Sequence, residues 1–445
     1  MNRKIKSKER EAIIQSLKSG VVPRVGLQYI QVGRMNELNS FLRDIDMICN
    51  SGTAFRFLIG EYGSGKTFLL HLVKSIALEK GLVVVTADLS PSKRLHGSDG
   101  QAKALFSELI NNISTRTKPE GNALQNVLEK FISIAREEAD KNDTSVDSVI
   151  RLKLDGIKEC VGGYDFSNVI SQYWKGYESG DDDKKDNVLR WLKGSYSTKT
   201  DAMRDLGVRT IINDASLYDT LKIYSVFVKE AGYKGLLICL DEMVNLYKIS
   251  NTVSRKSNYE EILKMLNDSL QGNISNIGFV MCGTPEFLTD GSRGLYSYEA
   301  LRSRLAENTF AKQMGINDYN SIALRLSNLS KEELVMLLRN IRNVFALGDE
   351  TKYLIPDEAI IVFLEYCAKR IGESYFRTPR TTIKSFIDLL SLLEQSRELQ
   401  WGDVINNISV KRDVEPSGLE GVNDSIGISS FENKEEEDNF SSFKL

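Results

Sequence analysis

Eight consecutive residues, Gly60-Glu61-Tyr62-Gly63-Ser64-Gly65-Lys66-Thr67, follow the apolar run Phe55-Arg56-Phe57-Leu58-Ile59 and spell G-x-x-x-x-G-K-[ST]. Glycines at this spacing let the backbone curl until several N–H groups converge on one anion. The lysine then reaches the β- and γ-phosphates of a nucleotide, and the threonine hydroxyl ligates Mg2+. A helix expected over residues 67–78 adds its positive N-terminal end to the same anion. The loop and Phe68 are therefore the candidate nucleotide-binding residues, with Thr67 a candidate ligand of Mg2+. A glycine turn with no ligand is the alternative, and the strand before the loop and the apolar helix after it weigh against that.

A second run, Gly235-Leu236-Leu237-Ile238-Cys239-Leu240-Asp241-Glu242, ends in paired acids. Asp241 at the tip of a buried strand can hold Mg2+ through water, and the carboxylate of Glu242 is placed to polarise the water that attacks a γ-phosphate. Simple capping of the strand is the competing reading, weakened by the upstream loop. The run Ile277-Gly278-Phe279-Val280-Met281-Cys282-Gly283 delivers Thr284, placed to sense the γ-phosphate or to position water. Phosphoryl transfer gains from cations that meet the transition state, and an arginine supplied by an adjacent subunit ties turnover to assembly. Arg304 is the expected trans-acting finger, Arg302 the second candidate, and surface ion pairs are the alternative for both. Arg380 opens a C-terminal helix after Arg377-Thr378-Pro379.

The elements that must position these groups follow from periodicity. Residues 8–18 form an amphipathic helix with Ile13, Ile14 and Leu17 on one side and Gly20 as its stop. Strand, helix, strand at residues 55–88 is the rhythm of a doubly wound sheet, and Leu82-Val83-Val84-Val85-Thr86-Ala87-Asp88 is a β-branched run of the buried parallel kind. Residues 120–206 break that rhythm with helical patterns; within them Asp181-Asp182-Asp183 reads as a solvated turn or helix start. Residues 322–326 offer a short strand, and the capping box Ser330-Lys331-Glu332-Glu333 launches a helix. The expected fold is α/β: a P-loop parallel sheet flanked by helices, with a helical insertion and an all-helical C-terminal lid. The expected division is a basic helical arm (1–29), the α/β nucleotide domain (30–315, insertion about 120–206), the lid (316–413) and a disordered acidic tail (414–445).

Composition narrows the function classes. At 445 residues, 41% hydrophobic and 27% charged, the chain reads as globular with two to three units. No apolar run approaches the roughly 20 residues that span a bilayer, and the charged N-terminus does not read as a signal peptide, so a cytoplasmic protein without membrane contact is expected. Two histidines and five cysteines without a CxxC pair leave almost no ligands for zinc. A net charge of −3 gives no global pull toward nucleic acid. Arg3, Lys4, Lys6, Lys8 and Arg10 are the one early basic cluster, better read as a solvated helix face than as a DNA-binding arm.

The order Gly33-Arg34 with Glu37, phosphate loop, Leu240-Asp241-Glu242, Gly283-Thr284-Pro285, Ser303-Arg304 and Thr378-Pro379-Arg380 resembles the AAA+ superfamily and is similar to its origin-recognition branch. The resemblance implies that Val32 and Gly33 line the adenine pocket, Thr284 is sensor 1, Arg304 the finger and Arg380 sensor 2. More closely, the phosphate-loop string through Phe68, Leu240-Asp241-Glu242-Met243-Val244-Asn245-Leu246-Tyr247 and Ser374-Tyr375-Phe376-Arg377-Thr378-Pro379-Arg380 resemble the ATP-binding proteins of BREX-type phage-defence loci. That likeness implies a prokaryotic ATPase using ATP and Mg2+, a homo-oligomer, working beside other defence proteins such as a helicase. The expected function is ATP hydrolysis that assembles or remodels a partner or DNA complex; a nucleotide-gated scaffold with slow turnover is the alternative.

Overall fold

The computed structural model describes residues 5–158, 160–371, 379–396 and 398–407. The basic residues Arg3 and Lys4, the string at 374–378 and the expected acidic tail lie outside the described residues.

Five strands form one all-parallel sheet: β1 (Thr53–Ile59), β2 (Val83–Asp88), β3 (Leu236–Asp241), β4 (Ile277–Gly283) and β5 (Ala323–Arg325), in the order β2-β3-β4-β1-β5. Parallel sheets need cover on both faces, and every residue of β3 and β4 is buried. The fold is thus the α/β class expected, flanked by helices and followed by C-terminal helices. Register aligns the strand tips: Ile59 pairs with Gly283, Leu240 with Met281 and Asp88 with Asp241. Because β4 lies between β1 and β3, the residue after Gly283 emerges between the phosphate loop and the paired acids.

Four helices frame the site. α1 (Ser7–Lys18) precedes the sheet, α2 (Lys66–Glu79) follows the phosphate loop, and α3 (Lys331–Phe345) and α4 (Pro379–Gln395) belong to the C-terminal helices. Each starts where its sequence says it should. α2 is entered through Gly65 at φ +91°, a left-handed conformation in which glycine meets no Cβ penalty. α3 carries the expected reciprocal cap: the Glu333 amide donates to Ser330 Oγ at 3.2 Å and the Ser330 amide to Glu333 Oε2 at 2.8 Å. α4 opens on Pro379, whose missing N–H costs nothing in a first turn.

One face of the sheet packs against helices between β2 and β3. Its apolar cluster runs from Phe57 and Val85 through Phe131, Phe166, Tyr224 and Phe227, with Phe166 edge-on to Tyr224 and to Phe227 at 5.5 Å each. The helical region at 120–206 therefore shares its core with the sheet. Asp181 caps the helix Asp182–Leu192 by accepting the Lys184 amide at 2.9 Å, so the aspartate run is a helix start. The opposite face carries Leu58, Val84, Leu237 and Val280 beneath α2 and the helix Met35–Cys49.

A third cluster joins Ile5, Ile13 and Ile14 at the N-terminus to Leu338, Ile341, Phe386 and Leu390 of α3 and α4. Arg10 fastens α1 there, donating to the Phe345 carbonyl at 2.7 Å, pairing with Glu394 at 2.7 Å and lying 4.3 Å over the Phe345 ring. Among the described residues no helix is long and apolar enough to cross a membrane.

Candidate functional site

The phosphate loop holds its lysine folded back. Lys66 Nζ donates to the carbonyls of Gly60 at 2.7 Å and Glu61 at 2.8 Å. Burial depresses its proton affinity, and Asp241 and Glu242 only partly offset this. An incoming polyanion would remove that strain on the charged form. Ser64 Oγ is buried with no hydrogen-bond partner, an orphan donor inside a loop whose backbone is shaped to surround an anion.

Across the loop, Thr67 Oγ1 donates to Asp241 Oδ2 at 2.7 Å. The other oxygen, Asp241 Oδ1, accepts the amide of Glu242 at 2.8 Å. That bond pins a turn in which Glu242 sits at φ +57°, a conformation costing a non-glycine residue about 1 kcal/mol or more and concentrated at functional sites. Burial raises the proton affinity of Glu242, with Asp241 and Asp88 adding repulsion and Lys66 opposing it. A carboxylate so placed is a stronger base than one in water.

These groups face a cleft of about 480 Å³. Its polar end is built by the phosphate loop, Asp88, Asp241, Glu242 and Thr284; its other end is apolar, with Val22, Pro23, Ile30, Val32, Leu337 and Ile383. A phosphate chain fits the first and a flat heterocycle the second. Among the described residues no set of three or more His, Cys, Asp or Glu is arranged to hold a metal ion unaided. The donors suit Mg2+, which binds through one or two protein oxygens plus the phosphates of its nucleotide, here Thr67 and Asp241.

Many of the residues singled out from sequence come together in this cleft. Val32, Tyr62, Gly63, Ser64, Gly65, Lys66, Thr67, Phe68, Asp241, Glu242, Thr284 and Arg380 all line the cleft. Gly60 and Glu61 contribute carbonyls to Lys66 from behind it. Gly33 does not reach the wall; it lies against the Glu333 carboxylate. Thr284 Oγ1 also caps the helix Pro285–Thr289, accepting the Phe287 amide at 3.4 Å. Arg302 and Arg304 stand away from this cleft, both exposed; Arg304 donates to Asn267 Oδ1 at 2.8 Å and the Ala300 carbonyl at 2.9 Å.

With this geometry in hand, comparison with protein families is decisive. Residues 5–409 match the BREX system ATP-binding protein BrxC/D family. The chain belongs to that family. Comparison with curated proteins gave no match. The family match spans the sheet, α1 and the C-terminal helices together, which are the parts that enclose the cleft.

In this family member several wall components were not singled out from sequence, among them Asp88, Arg34 and residues from the segment 17–23. Asp88 ends β2 as Asp241 ends β3, and burial followed by repulsion from Asp241 raises its proton affinity. An apolar β-branched run closing on an acid was the available signal. Arg34, quoted only as part of a pattern, lines the cleft and donates to the carbonyls of Ser327 at 2.6 Å and Ser64 at 3.3 Å, tying the phosphate loop to the segment after β5. Leu17 and Gly20 were read only as the apolar side and stop of α1, and nothing local tied them, or Val21, Val22 and Pro23, to the cleft.

Burial pushes the Cys239 thiol up to about 12, and that of Cys282, which lines the cleft, well above its ordinary value.

Proposed function

We propose that this BrxC/D-family protein binds ATP with Mg2+ in the cleft and hydrolyses it to assemble or remodel a partner protein or DNA complex in phage defence. The observation that carries this reading is the 2.7 Å contact between Thr67 and Asp241, with Glu242 following on the same strand tip. It joins a hydroxyl and a carboxylate that both suit Mg2+, and seats a base beside them.

In this reading Lys66 releases its carbonyls to meet the phosphates, and the loop amides surround them. Thr67 and Asp241 hold Mg2+, which when bound neutralises charge building on the phosphate oxygens. Glu242 accepts the proton of the attacking water, and Thr284 orients that water from between the two motifs. Arg380 reaches the terminal phosphate from α4, and Val32 with its apolar neighbours takes the base. Arg304, with Arg302 beside it, serves the cleft of a second copy of the chain. Further partners are another protein of the defence system, such as a helicase, and DNA.

The test is ATP turnover by the purified protein, with and without duplex DNA, beside equilibrium binding of labelled ATP. Lys66→Ala is expected to lose nucleotide binding; Glu242→Gln is expected to keep it and lose turnover. Unaltered binding in Lys66→Ala, or unaltered turnover in Glu242→Gln, would remove those residues from their assigned places.

A further inference from the structure

Arg380 is an exposed arginine on the wall of the cleft. Its Nη1 donates to the phenol oxygen of Tyr62 at 2.9 Å, a link from α4 directly onto the phosphate loop. The Nε and Nη2 edge of its guanidinium faces Gly20: a Cβ added there would stand 2.5 Å from Nε, 2.9 Å from Nη2 and 3.1 Å from Cζ. Gly20 also sits at φ +71°, so both its backbone and the space beside it call for glycine. Among the described residues no carboxylate forms an ion pair with Arg380. The guanidinium is thus packed from one side by the end of α1 and held from the other by a neutral acceptor.

A neutral phenol is a weak holder for a guanidinium. The bond to Tyr62 is charge-assisted from the arginine's side only, whereas an anionic phosphate adds the Coulombic attraction of a full opposite charge that a phenol lacks. A terminal phosphate that comes within reach of Arg380 will therefore draw it away from Tyr62, while a nucleotide lacking that phosphate leaves the Tyr62 bond standing.

We propose that Tyr62 is a positioning residue that competes with the terminal phosphate for Arg380, and so sets how strongly the cleft prefers a triphosphate over a diphosphate. The proposal rests on the reading of the cleft as an ATP site. Binding ATP breaks one Arg380–Tyr62 bond and binding ADP does not, so the bond taxes the triphosphate alone. Tyr62 is 41% exposed on a loop tip, and replacing it with Phe keeps the ring while deleting the acceptor.

The experiment is equilibrium binding of labelled ADP and of a slowly hydrolysed ATP analogue, both with Mg2+, to the full chain. Tyr62→Phe is expected to tighten the analogue about fivefold and to move ADP less than about twofold, the range one net hydrogen bond allows. Arg380→Ala is expected to weaken the analogue, and in that background Tyr62→Phe is expected to change nothing. An unchanged analogue-to-ADP ratio in Tyr62→Phe would overturn the proposal, as would an equal shift with Arg380 absent. Wild-type protein that bound neither nucleotide would overturn the reading of the cleft along with it.

Discussion

Arg304 gives the sharpest test of how the proposed ATP cycle is organised, because it is not among the residues that line its own cleft. Its guanidinium is exposed and rests on the Asn267 side chain and the Ala300 carbonyl. Surface hydrogen bonds of this kind are worth about 0.5–1.5 kcal/mol each, so freeing the side chain costs about 1–3 kcal/mol. An arginine that meets the transferring phosphoryl group is worth roughly 10³–10⁵ in rate, or about 4–7 kcal/mol. The gain exceeds the cost, and the group is therefore able to leave its resting partners for a second copy's cleft. Arg304→Ala is expected to lower turnover and to leave ATP affinity alone, whereas Glu242→Gln removes the base but keeps the finger. In a head-to-tail assembly of the two mixed equally, a site works when an Arg304→Ala cleft meets a Glu242→Gln finger. Random order makes that true of about one quarter of sites, so the mixture should recover roughly a quarter of wild-type turnover although each variant alone is nearly inactive. The assay is ATP hydrolysis across mixing ratios, with co-assembly checked by pull-down of differently tagged chains. Co-assembled mixtures no more active than the average of the two variants would refute action in trans.

Arg10→Ala is expected to cost about 1–3 kcal/mol through its carbonyl bond, its ion pair and its place over the Phe345 ring. Because residues just after α1 wall the cleft, the same change should raise protease cleavage near residues 19–26 and weaken nucleotide binding; wild-type behaviour in both would show α1 to be independent of the site. Alkaline pH supplies another test. Burial, with Glu129 and Asp205 nearby, pushes Tyr173 and Tyr196 up to about 12 from an ordinary value of 10.0. Between those limits the unfolded chain has lost protons that the folded chain keeps, so stability falls as pH rises through that window. Tyr173→Phe with Tyr196→Phe should flatten the fall in melting temperature between pH 10 and pH 12, and an unchanged slope would count against this source of it.

What the sequence made legible was what short stretches encode by themselves. The phosphate loop is one turn whose residues touch one another, and the Ser330–Glu333 cap spans four positions, so both were readable without a fold. Asp241 and Glu242 were legible because an acid ending a buried strand has few other uses. Asp88 carries the same signature and was read only as the end of a strand. What hid it is sheet order: only the pairing of β2 with β3 brings its carboxylate beside Asp241. The wall at residues 17–23 was hidden for a stronger reason. Its partners, Leu337, Ile341 and Ile383, lie over 300 residues away, and periodicity in α1 announces an apolar face without naming what covers it. The helices at 120–206 were read as an insertion by their rhythm, while their continuity with the sheet core depends on contacts such as Phe166 with Phe227.

The charges of the cleft give a physical reason for Mg2+ and nucleotide to enter together. Its acids, Asp88, Asp241 and Glu242, gather at neighbouring strand tips, where burial and mutual repulsion raise the proton affinity of Asp88 and Glu242. Two of its cations rest on neutral acceptors, Lys66 on two carbonyls and Arg380 on a phenol. A bare triphosphate would satisfy the cations and face the acids unscreened; a bare divalent ion would do the reverse. In the proposed reading only the pair would meet both sets, with Thr67 and Asp241 on the metal side and Lys66 and Arg380 on the phosphate side. Each of these two cations would let go of a neutral partner to do so, and attraction to a full negative charge offsets that exchange. The neutral acceptors that hold Lys66 and Arg380 are therefore ones that a charged ligand can displace.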